Sequence, residues 1–138
     1  MLLLGGAARA TIVAEARRAF PDECCGFLLG TRAAGRATVT EVRPAANAGA
    51  ADARPRFAIA PEEVLRAHRE AETRRLEVVG FYHSHPDGGA TPSRLDREHA
   101  WPGCRHVIVA VRDGEPGELR AWVPAAAGGA WVEEPVGE

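Results

Sequence analysis

The sequence predicts an α/β fold, because segments with the pattern of strands alternate with segments that have the period of a helix. Short apolar and β-branched runs bounded by Gly, Pro or Asp predict buried strands and hairpins. Longer stretches repeat their apolar residues every three or four positions, as one face of a helix does. The length of 138 residues suits one domain, 1–138, with a core of its own.

The predicted elements follow from the spacing of apolar residues and from the positions of Gly and Pro. Strands are predicted over residues 1–4, 24–29, 38–42, 76–82, 106–111, 118–123 and 130–134. Helices are predicted over residues 7–20, 61–75 and 93–101. Gly30 is expected to end the second strand. The residues of the second helix expected to face the sheet are Val64, Leu65, His68 and Ala71.

Composition and charge exclude several classes of protein. Hydrophobic residues make up 46% of the chain and charged residues 26%, which are ordinary globular values. A net charge of −2 argues against a broad nucleic-acid-binding surface. The apolar run at 1–4 is too short to span a membrane and is followed by two glycines, so we expect a cytoplasmic protein without a membrane segment. Three cysteines, two of them adjacent, do not have the pattern of a disulfide scaffold.

The stretch 80–86 reads Gly-Phe-Tyr-His-Ser-His-Pro and carries two candidate metal ligands. His83 and His85 end a predicted strand, and side chains two residues apart on a strand project from the same face. Two imidazoles placed in this way can bind one metal ion. Ser84 faces the opposite side of a regular strand, where we expect it to have a structural role.

A turn at 87–89 is followed by Thr91-Pro92-Ser93, which has the pattern of a helix start. Either Thr91 or Ser93 can be the N-cap residue. In both cases Ser93 and Asp96 lie three positions apart and share one face of the helix.

The strand end and the helix start can therefore aim His83, His85, Ser93 and Asp96 into one pocket. Two imidazoles and one carboxylate leave an open position on a tetrahedral Zn²⁺, which is typical of a catalytic zinc site. A pair of histidines alone also occurs in loops and tags, so the turn and the Ser-x-x-Asp sequence make the pattern much more specific.

The order of these residues resembles the signature of the JAMM (MPN+) metallopeptidases. His83-Ser84-His85 is followed, after seven residues, by Ser93-x-x-Asp96. The segment 21–30 resembles the first segment of that family and places Glu23 at its acidic position.

The resemblance extends to residues 61–65 and 107–111, so it covers most of the chain. It implies the MPN (JAMM) fold, a mixed, curved β-sheet flanked by helices that resembles the cytidine-deaminase-like architecture. The chain has no long insertion after the metal motif and looks like a minimal catalytic core.

The resemblance also implies a role for each residue of the site. One zinc ion per chain is held by His83, His85 and Asp96. Glu23, which by itself reads as a solvated acid in a turn, becomes the general base that takes a proton from the zinc-activated water. Ser93 donates a hydrogen bond to the developing oxyanion.

A substrate class follows from the same resemblance. It implies a zinc-dependent peptidase or isopeptidase that hydrolyses an amide bond after the C-terminal glycine of a ubiquitin-like or sulfur-carrier protein. Small bacterial members act on sulfur carriers, and one such system releases cysteine from the carrier in a route of cysteine biosynthesis. The expected partner is a small β-grasp protein whose Gly-Gly tail lies extended beside a sheet edge.

The residues leave two other functions open: a metal-free MPN scaffold or protein-binding module, and a metal-dependent amidase for small molecules. A zinc nucleobase deaminase also places a glutamate beside zinc, but its H-x-E and P-C-x-x-C pattern is absent. A catalytic cysteine at Cys24 or Cys25 is a weak alternative, because nothing nearby in the sequence lowers the pKa of a thiol.

Two further features of the sequence have no definite role in this interpretation. His99, Cys104 and His106 form a candidate second metal site, although their spacing matches no known motif. Residues 45–56 form an expected loop, which is either a wall of the substrate groove or a plain exposed loop. The oligomeric state is not predicted.

Overall fold

A computed structural model describes residues 1–49, 58–101, 103–125 and 130–138 of the chain. Its strands are β1 (Leu2–Leu4), β2 (Cys25–Ala33), β3 (Arg36–Ala45), β4 (Glu77–Pro86), β5 (Arg105–Arg112), β6 (Glu115–Pro124), β7 (Trp131–Glu134) and β8 (Val136–Gly137). Its helices are α1 (Gly6–Ala19), α2 (Pro61–Thr73) and α3 (Arg94–Glu98). None of the helices in these ranges is long and apolar enough to cross a membrane.

The strands form one sheet in the order β7-β6-β5-β4-β2-β3-β1-β8. β1 runs parallel to β3 and to β8, and β4 runs parallel to β5. The other neighbouring strands are antiparallel. The predicted α/β fold with a mixed sheet is therefore confirmed.

The sheet curves until its two edges lie close together. β7 and β8 are the edge strands, yet only Pro135 separates them in the chain. The Leu2 N–H donates a hydrogen bond to the Pro135 carbonyl at 3.0 Å, and the N-terminal amino group lies 2.9 Å from the Glu134 carboxylate. Arg105 at the start of β5 donates a further hydrogen bond to Glu134, at 3.0 Å. These contacts hold the curved sheet in a nearly closed form.

β4 lies at the centre of the sheet and carries the candidate histidine ligands. It pairs with β2 on one side and with β5 on the other, and the register places His83 beside Cys25 and Ile108. The apolar and aromatic residues that precede His83 suit a strand buried on both faces. Gly80 permits the close approach of β5, because a Cβ at this position would lie 2.3 Å from the Arg105 carbonyl oxygen.

Helices pack on both faces of the sheet. α1 lies against one face, in the core cluster that contains Tyr82. α2 lies against the other face, where Ala67 and Ala71 are buried in a cluster with Phe81. His83 follows Phe81 by two positions and so shares its face of β4. The candidate site is therefore on the face that α2 covers.

β2 does not end at Gly30, as the sequence analysis expected. The strand continues to Ala33, with a shift of register between Leu29 and Gly30. β3 comes so close at this point that a Cβ on Gly30 would lie 1.8 Å from the Thr38 carbonyl oxygen. A glycine inside the strand thus marks an irregularity and a close backbone approach.

The predicted inner face of α2 is only partly correct. Ala67 and Ala71 are buried and Val64 is half-buried, whereas Leu65 is 52% exposed and His68 is exposed as well. The three inner residues follow the spacing of one helix face. Leu65 is one position after Val64 and so projects from a different side of the helix, where it remains in solvent although it is more hydrophobic than the buried alanines.

The third helix is shorter than predicted, because α3 ends at Glu98 and not at residue 101. The His99 N–H already bonds to the Leu95 and Asp96 carbonyls, at 3.2 Å each, and closes the last turn. The two-residue strand β8 was not predicted. Of the expected loop 45–56, the first residue ends β3 and residues 50–56 lie outside the described ranges.

We expect Gly80→Ala to lower the free energy of unfolding by about 1–3 kcal/mol, the usual cost of an atom forced into a packed contact. The added Cβ would meet the backbone of β5, which cannot turn aside as a flexible side chain could. Urea unfolding measures the change. Gly117→Ala is the matched control, because nothing lies within 4 Å of a Cβ there. Equal stabilities of the two variants would contradict the pairing of β4 with β5.

Candidate metal centre

The two histidines lie side by side at the end of β4, as their spacing predicts. Their Nε2 atoms are 3.0 Å apart. The His83 side chain is 1% exposed and that of His85 is 14% exposed. His85 Nδ1 lies 2.9 Å from the Gly89 carbonyl in the turn after β4. When Nδ1 donates its hydrogen to that carbonyl, the Nε2 lone pair of His85 is left to bind a metal ion.

A capping box at the start of α3 holds Asp96 against these histidines. Of the two predicted candidates, Thr91 and Ser93, the N-cap residue is Ser93. The Asp96 N–H donates to Ser93 Oγ at 3.0 Å, and the Ser93 N–H donates to Asp96 Oδ2 at 2.9 Å. This reciprocal pair satisfies two backbone donors at the helix start and fixes the direction of the carboxylate.

The donor atoms of His83, His85 and Asp96 have the mutual distances that a tetrahedral zinc site requires. The Asp96 carboxylate lies 3.2 Å from His83 Nε2 and 3.0 Å from His85 Nε2. Ligands bound to zinc at about 2.0–2.1 Å stand about 3.3 Å from one another along a tetrahedral edge. Two imidazoles and one carboxylate are also a donor set that zinc favours. The residues present therefore fit this ion.

Glu23 brings a second carboxylate to the same cluster. It lies between α1 and β2 and is 8% exposed. One of its oxygens and one ring nitrogen from each of His83 and His85 lie within 4.8 Å of one another. The geometry thus offers two sets of three ligands, in which the histidines are joined either by Asp96 or by Glu23. We favour Asp96, because its contacts to both rings are near the length of a tetrahedral edge.

The pKa values of the two carboxylates also favour Asp96 over Glu23 as the third ligand. Burial raises the pKa of Glu23 to about 7, an effect that His85 opposes and Asp96 reinforces. Burial alone would raise the pKa of Asp96 too, but hydrogen bonds with His83 and His85 hold it below its ordinary value. Asp96 therefore remains an anion, as a ligand must. A carboxyl group with the pKa of Glu23 can exchange a proton near neutral pH, which is a property that a general base needs.

The pKa values of the two histidines are shifted in opposite directions. Full burial lowers the pKa of His83 in spite of its contact with Asp96. Burial also acts to lower the pKa of His85, but its hydrogen bonds with Asp96 and the Gly89 carbonyl raise it on balance. A neutral His83 suits metal binding, because only the unprotonated nitrogen is a ligand.

Two side chains hold the peptide group that follows Glu23. Ser84 faces away from the histidines, as expected, and its Oγ accepts a hydrogen bond from the Cys24 N–H at 2.9 Å. Asn47 Nδ2 donates to the Glu23 carbonyl at 3.0 Å. From the sequence, Asn47 is expected only as part of the loop 45–56, with no predicted contact to Glu23. No local signal identifies it, since its partner lies 24 positions away in the chain.

A cavity of about 530 Å³ opens beside the cluster. Its lining includes Glu23, His83, Ser93 and Asp96, so the structure brings together four of the five predicted site residues around one space. The fifth, His85, joins them through its contacts to His83 and Asp96. Most of the other lining residues are apolar and include Ile59, Val64, Phe81, Leu95, Trp101 and Trp131.

His99, Cys104 and His106 do not form a second metal site in the described residues. Among the described residues, the candidate ligand atoms of His, Cys, Asp and Glu that cluster in this way are those of Glu23, His83 and His85, and not those of His99, Cys104 and His106. His99 is exposed, with Nδ1 3.1 Å from the Leu95 carbonyl. His106 is buried between aromatic rings, and burial lowers its pKa to about 4.

The adjacent cysteines do not have the environment of a nucleophile. Both Cys24 and Cys25 are buried. Burial raises the pKa of Cys25 to about 12 and that of Cys24 above its ordinary value. A thiol in such surroundings remains protonated at neutral pH.

Known proteins resemble this chain in sequence and in fold. Residues 7–124 match the model of the family described as prokaryotic homologs of the JAB domain. A desampylase of Haloferax volcanii is 39% identical over 112 residues, which are 78% of each chain. A CysO-cysteine peptidase of Mycobacterium tuberculosis is 37% identical over 127 residues, 91% of this chain and 82% of the relative.

A solved structure agrees with these matches at the level of the fold. The crystal structure of a JAB1/MPN domain protein from Archaeoglobus fulgidus has a TM-score of 0.56 and 22% identity, and covers 99% of this chain and 95% of the other. The expected MPN fold is therefore confirmed. With the family match extending from α1 to the end of β6, the chain belongs to the prokaryotic homologues of the JAB domain.

Proposed function

We propose that this protein is a zinc-dependent peptidase or isopeptidase that hydrolyses an amide bond at the C-terminus of a ubiquitin-like or sulfur-carrier protein. One observation carries the proposal. Three donor atoms lie 3.0–3.2 Å apart, and a buried carboxylate with a pKa of about 7 shares their cluster. This is the arrangement that hydrolysis with a metal ion and a general base needs.

His83, His85 and Asp96 would hold one zinc ion. When bound, zinc supplies Lewis acidity, which makes a water molecule more acidic and polarises an amide carbonyl. The capping box and the Gly89 carbonyl keep the ligands in place before the ion arrives. Such support from outside the ligand set is common in protein metal sites.

Glu23 would be the general base of the reaction. Its carboxylate accepts a proton from the attacking water, and the resulting acid returns that proton to the nitrogen of the leaving amine as the C–N bond breaks. Both transfers require a group whose pKa is close to the working pH, and the burial of Glu23 provides one.

Ser93 would stabilise the oxyanion that forms from the carbonyl oxygen. Its Oγ lone pair already accepts the Asp96 N–H, so the hydroxyl hydrogen is left to donate. Ser93 also lines the cavity beside the ligands. A donor placed in this way strengthens its hydrogen bond as charge develops on the oxygen.

The substrate class rests on the relatives and on the shape of the site. Two relatives are named desampylase and CysO-cysteine peptidase, and the first name denotes removal of a protein modifier. The cavity beside the candidate zinc site has a volume of about 530 Å³ and a mainly apolar lining. We therefore propose a β-grasp carrier with a Gly-Gly tail as the partner.

We expect Glu23→Gln to lower kcat by about 10²- to 10⁴-fold, the usual contribution of a general base. The assay uses zinc-loaded protein and a β-grasp carrier whose Gly-Gly terminus is joined to a short peptide, and mass spectrometry detects the cleaved carrier. Glu62→Gln is the matched control, since it removes an exposed carboxylate at the start of α2.

Three results of this assay would contradict the proposal. Full activity of Glu23→Gln would exclude Glu23 as the base. Cleavage of short peptides as fast as the carrier conjugate would favour a small-molecule amidase. Binding of the conjugate with no cleavage by the zinc-loaded wild type would favour a scaffold.

The raised pKa of Glu23 predicts that metal-free wild type is destabilised as the pH rises. The pKa of Glu23 is about 7 in the folded protein and 4.5 in the reference state. Glu23 therefore does not lower the free energy of unfolding below pH 4.5, and the folded protein loses stability progressively as the pH rises from 4.5 through 7. Glu23→Gln has no charge to bury. It should therefore be more stable than wild type at pH 8, by up to about 3 kcal/mol, and should lose that advantage near pH 4.

Urea unfolding of the metal-free proteins across this pH range measures the difference, again with Glu62→Gln as the control. An advantage of Glu23→Gln that does not change with pH would contradict the burial of the Glu23 charge.

A further inference from the structure

We propose that Asn47 is a positioning residue for the general base, because its side chain fixes the backbone of Glu23 and ties it to the wall of the cavity. The inference rests on the proposed function. Nothing in the family match or in the names of the relatives assigns a role to this residue.

The peptide group between Glu23 and Cys24 is held at both ends by side chains. Asn47 Nδ2 donates to its carbonyl oxygen at 3.0 Å, and Ser84 Oγ accepts its N–H at 2.9 Å. The ladder of β2 begins only at Cys25, so Glu23 lies outside it. Strand pairing holds the backbone of the residues that follow, whereas these two side chains hold the backbone of Glu23.

The two contacts connect the base to the candidate zinc ligands. Ser84 lies between His83 and His85 on β4, and its own N–H donates to the Cys24 carbonyl at 3.2 Å. With Ser84 on one side and Asn47 on the other, the plane of the peptide group cannot rotate. The Cα of Glu23 lies in that plane, so the point from which the Glu23 side chain starts is fixed relative to the histidines.

The oxygen of the Asn47 amide holds a second part of the chain. Oδ1 accepts the N–H of Gly49 at 2.9 Å and the N–H of Ala58 at 3.0 Å. Ala58 also accepts a hydrogen bond from the Ala48 N–H at 2.8 Å, and it lines the cavity with Ile59. One side chain thus joins the backbone of the base to a wall of the cavity.

These partners determine the orientation of the amide and explain why asparagine is needed. Two backbone N–H groups require an acceptor on one side, and a carbonyl oxygen requires a donor on the other. Aspartate offers acceptors on both sides, and alanine offers neither. A residue that only closed a local turn would have no use for the donor, whose partner is 24 positions away.

Asn47→Asp and Asn47→Ala separate the two halves of this contact. Asn47→Asp keeps an acceptor for Gly49 and Ala58 but loses the donor to Glu23, whereas Asn47→Ala loses both. We expect each variant to lower kcat by about 10- to 100-fold, since displacement of a catalytic group by about 1 Å has effects of this size. KM should change less than kcat, and one zinc per chain should be retained.

The matched control is Thr73→Ala, which removes a hydrogen bond from a side chain to the backbone on the exposed end of α2. We expect its kcat to equal that of wild type. All kcat values are taken on the alkaline plateau of the pH profile, so that a changed pKa of Glu23 does not contribute. Amide hydrogen exchange by NMR gives a readout that does not depend on activity. Gly49 and Ala58 should lose protection in Asn47→Ala and retain it in Asn47→Asp.

The outcomes distinguish this inference from the proposed function. A wild type that cleaves no carrier conjugate overturns the proposed function, whereas an active wild type with an equally active Asn47→Asp overturns the role of Asn47. Loss of zinc from both variants also overturns it, because Asn47 would then support the ligands. If Asn47→Ala does not fold, Asn47→Asp alone decides the question.

Discussion

The pair of hydrogen bonds between Cys24 and Ser84 is the contact on which the site depends. Cys24 follows Glu23, and Ser84 lies between His83 and His85. The contact thus joins residues 60 positions apart in the chain. The antiparallel pairing of β2 with β4 extends the same contact along both strands. The architecture of the sheet thus places the acid that precedes β2 beside the candidate ligands at the end of β4.

Burial gives the residues of the site their chemical character. Two carboxylates and two imidazoles share a cluster from which water is largely excluded, and each group responds according to its contacts. Asp96 touches both rings and stays ionised, whereas Glu23 lies farther from them and has a pKa of about 7. A bound cation would relieve the cost of burying these charges, because it would offset the negative charge directly. We therefore expect the metal-free state to be less stable at high pH, because two buried carboxylates lie side by side there.

The sequence predicts the parts of the site that are local and misses those that depend on register. The histidine pair follows from a spacing of two residues and is found as predicted. The sequence left Thr91 and Ser93 as alternative N-cap residues, and the structure has Ser93 in that place, with Asp96 three positions on. Glu23 has no local signal, because what makes it special is the pairing of β2 with β4. It was identified from resemblance alone. Asn47 was missed for the same reason, since each half of its amide serves a different segment.

The incorrect predictions of the fold have equally specific causes. The expectation that Gly30 ends β2 treats glycine as a terminator, whereas here it allows β3 to approach closely. The choice of Leu65 for the inner face of α2 follows hydrophobicity, but Leu65 projects from a different side of the helix than the buried alanines. β8 is two residues long and pairs with β1 at the far edge of the sheet, so no pattern in the sequence could indicate it.

The most direct test of the account is the zinc content of the purified protein and of two variants, measured by elemental mass spectrometry after loading and dialysis. The account predicts about one zinc per chain in the wild type and in Glu23→Gln, and none in Asp96→Ala. Retention of zinc by Asp96→Ala together with its loss from Glu23→Gln would show that Glu23 is the third ligand, and would contradict its role as the base. Absence of zinc from the loaded wild type would contradict the metal centre itself.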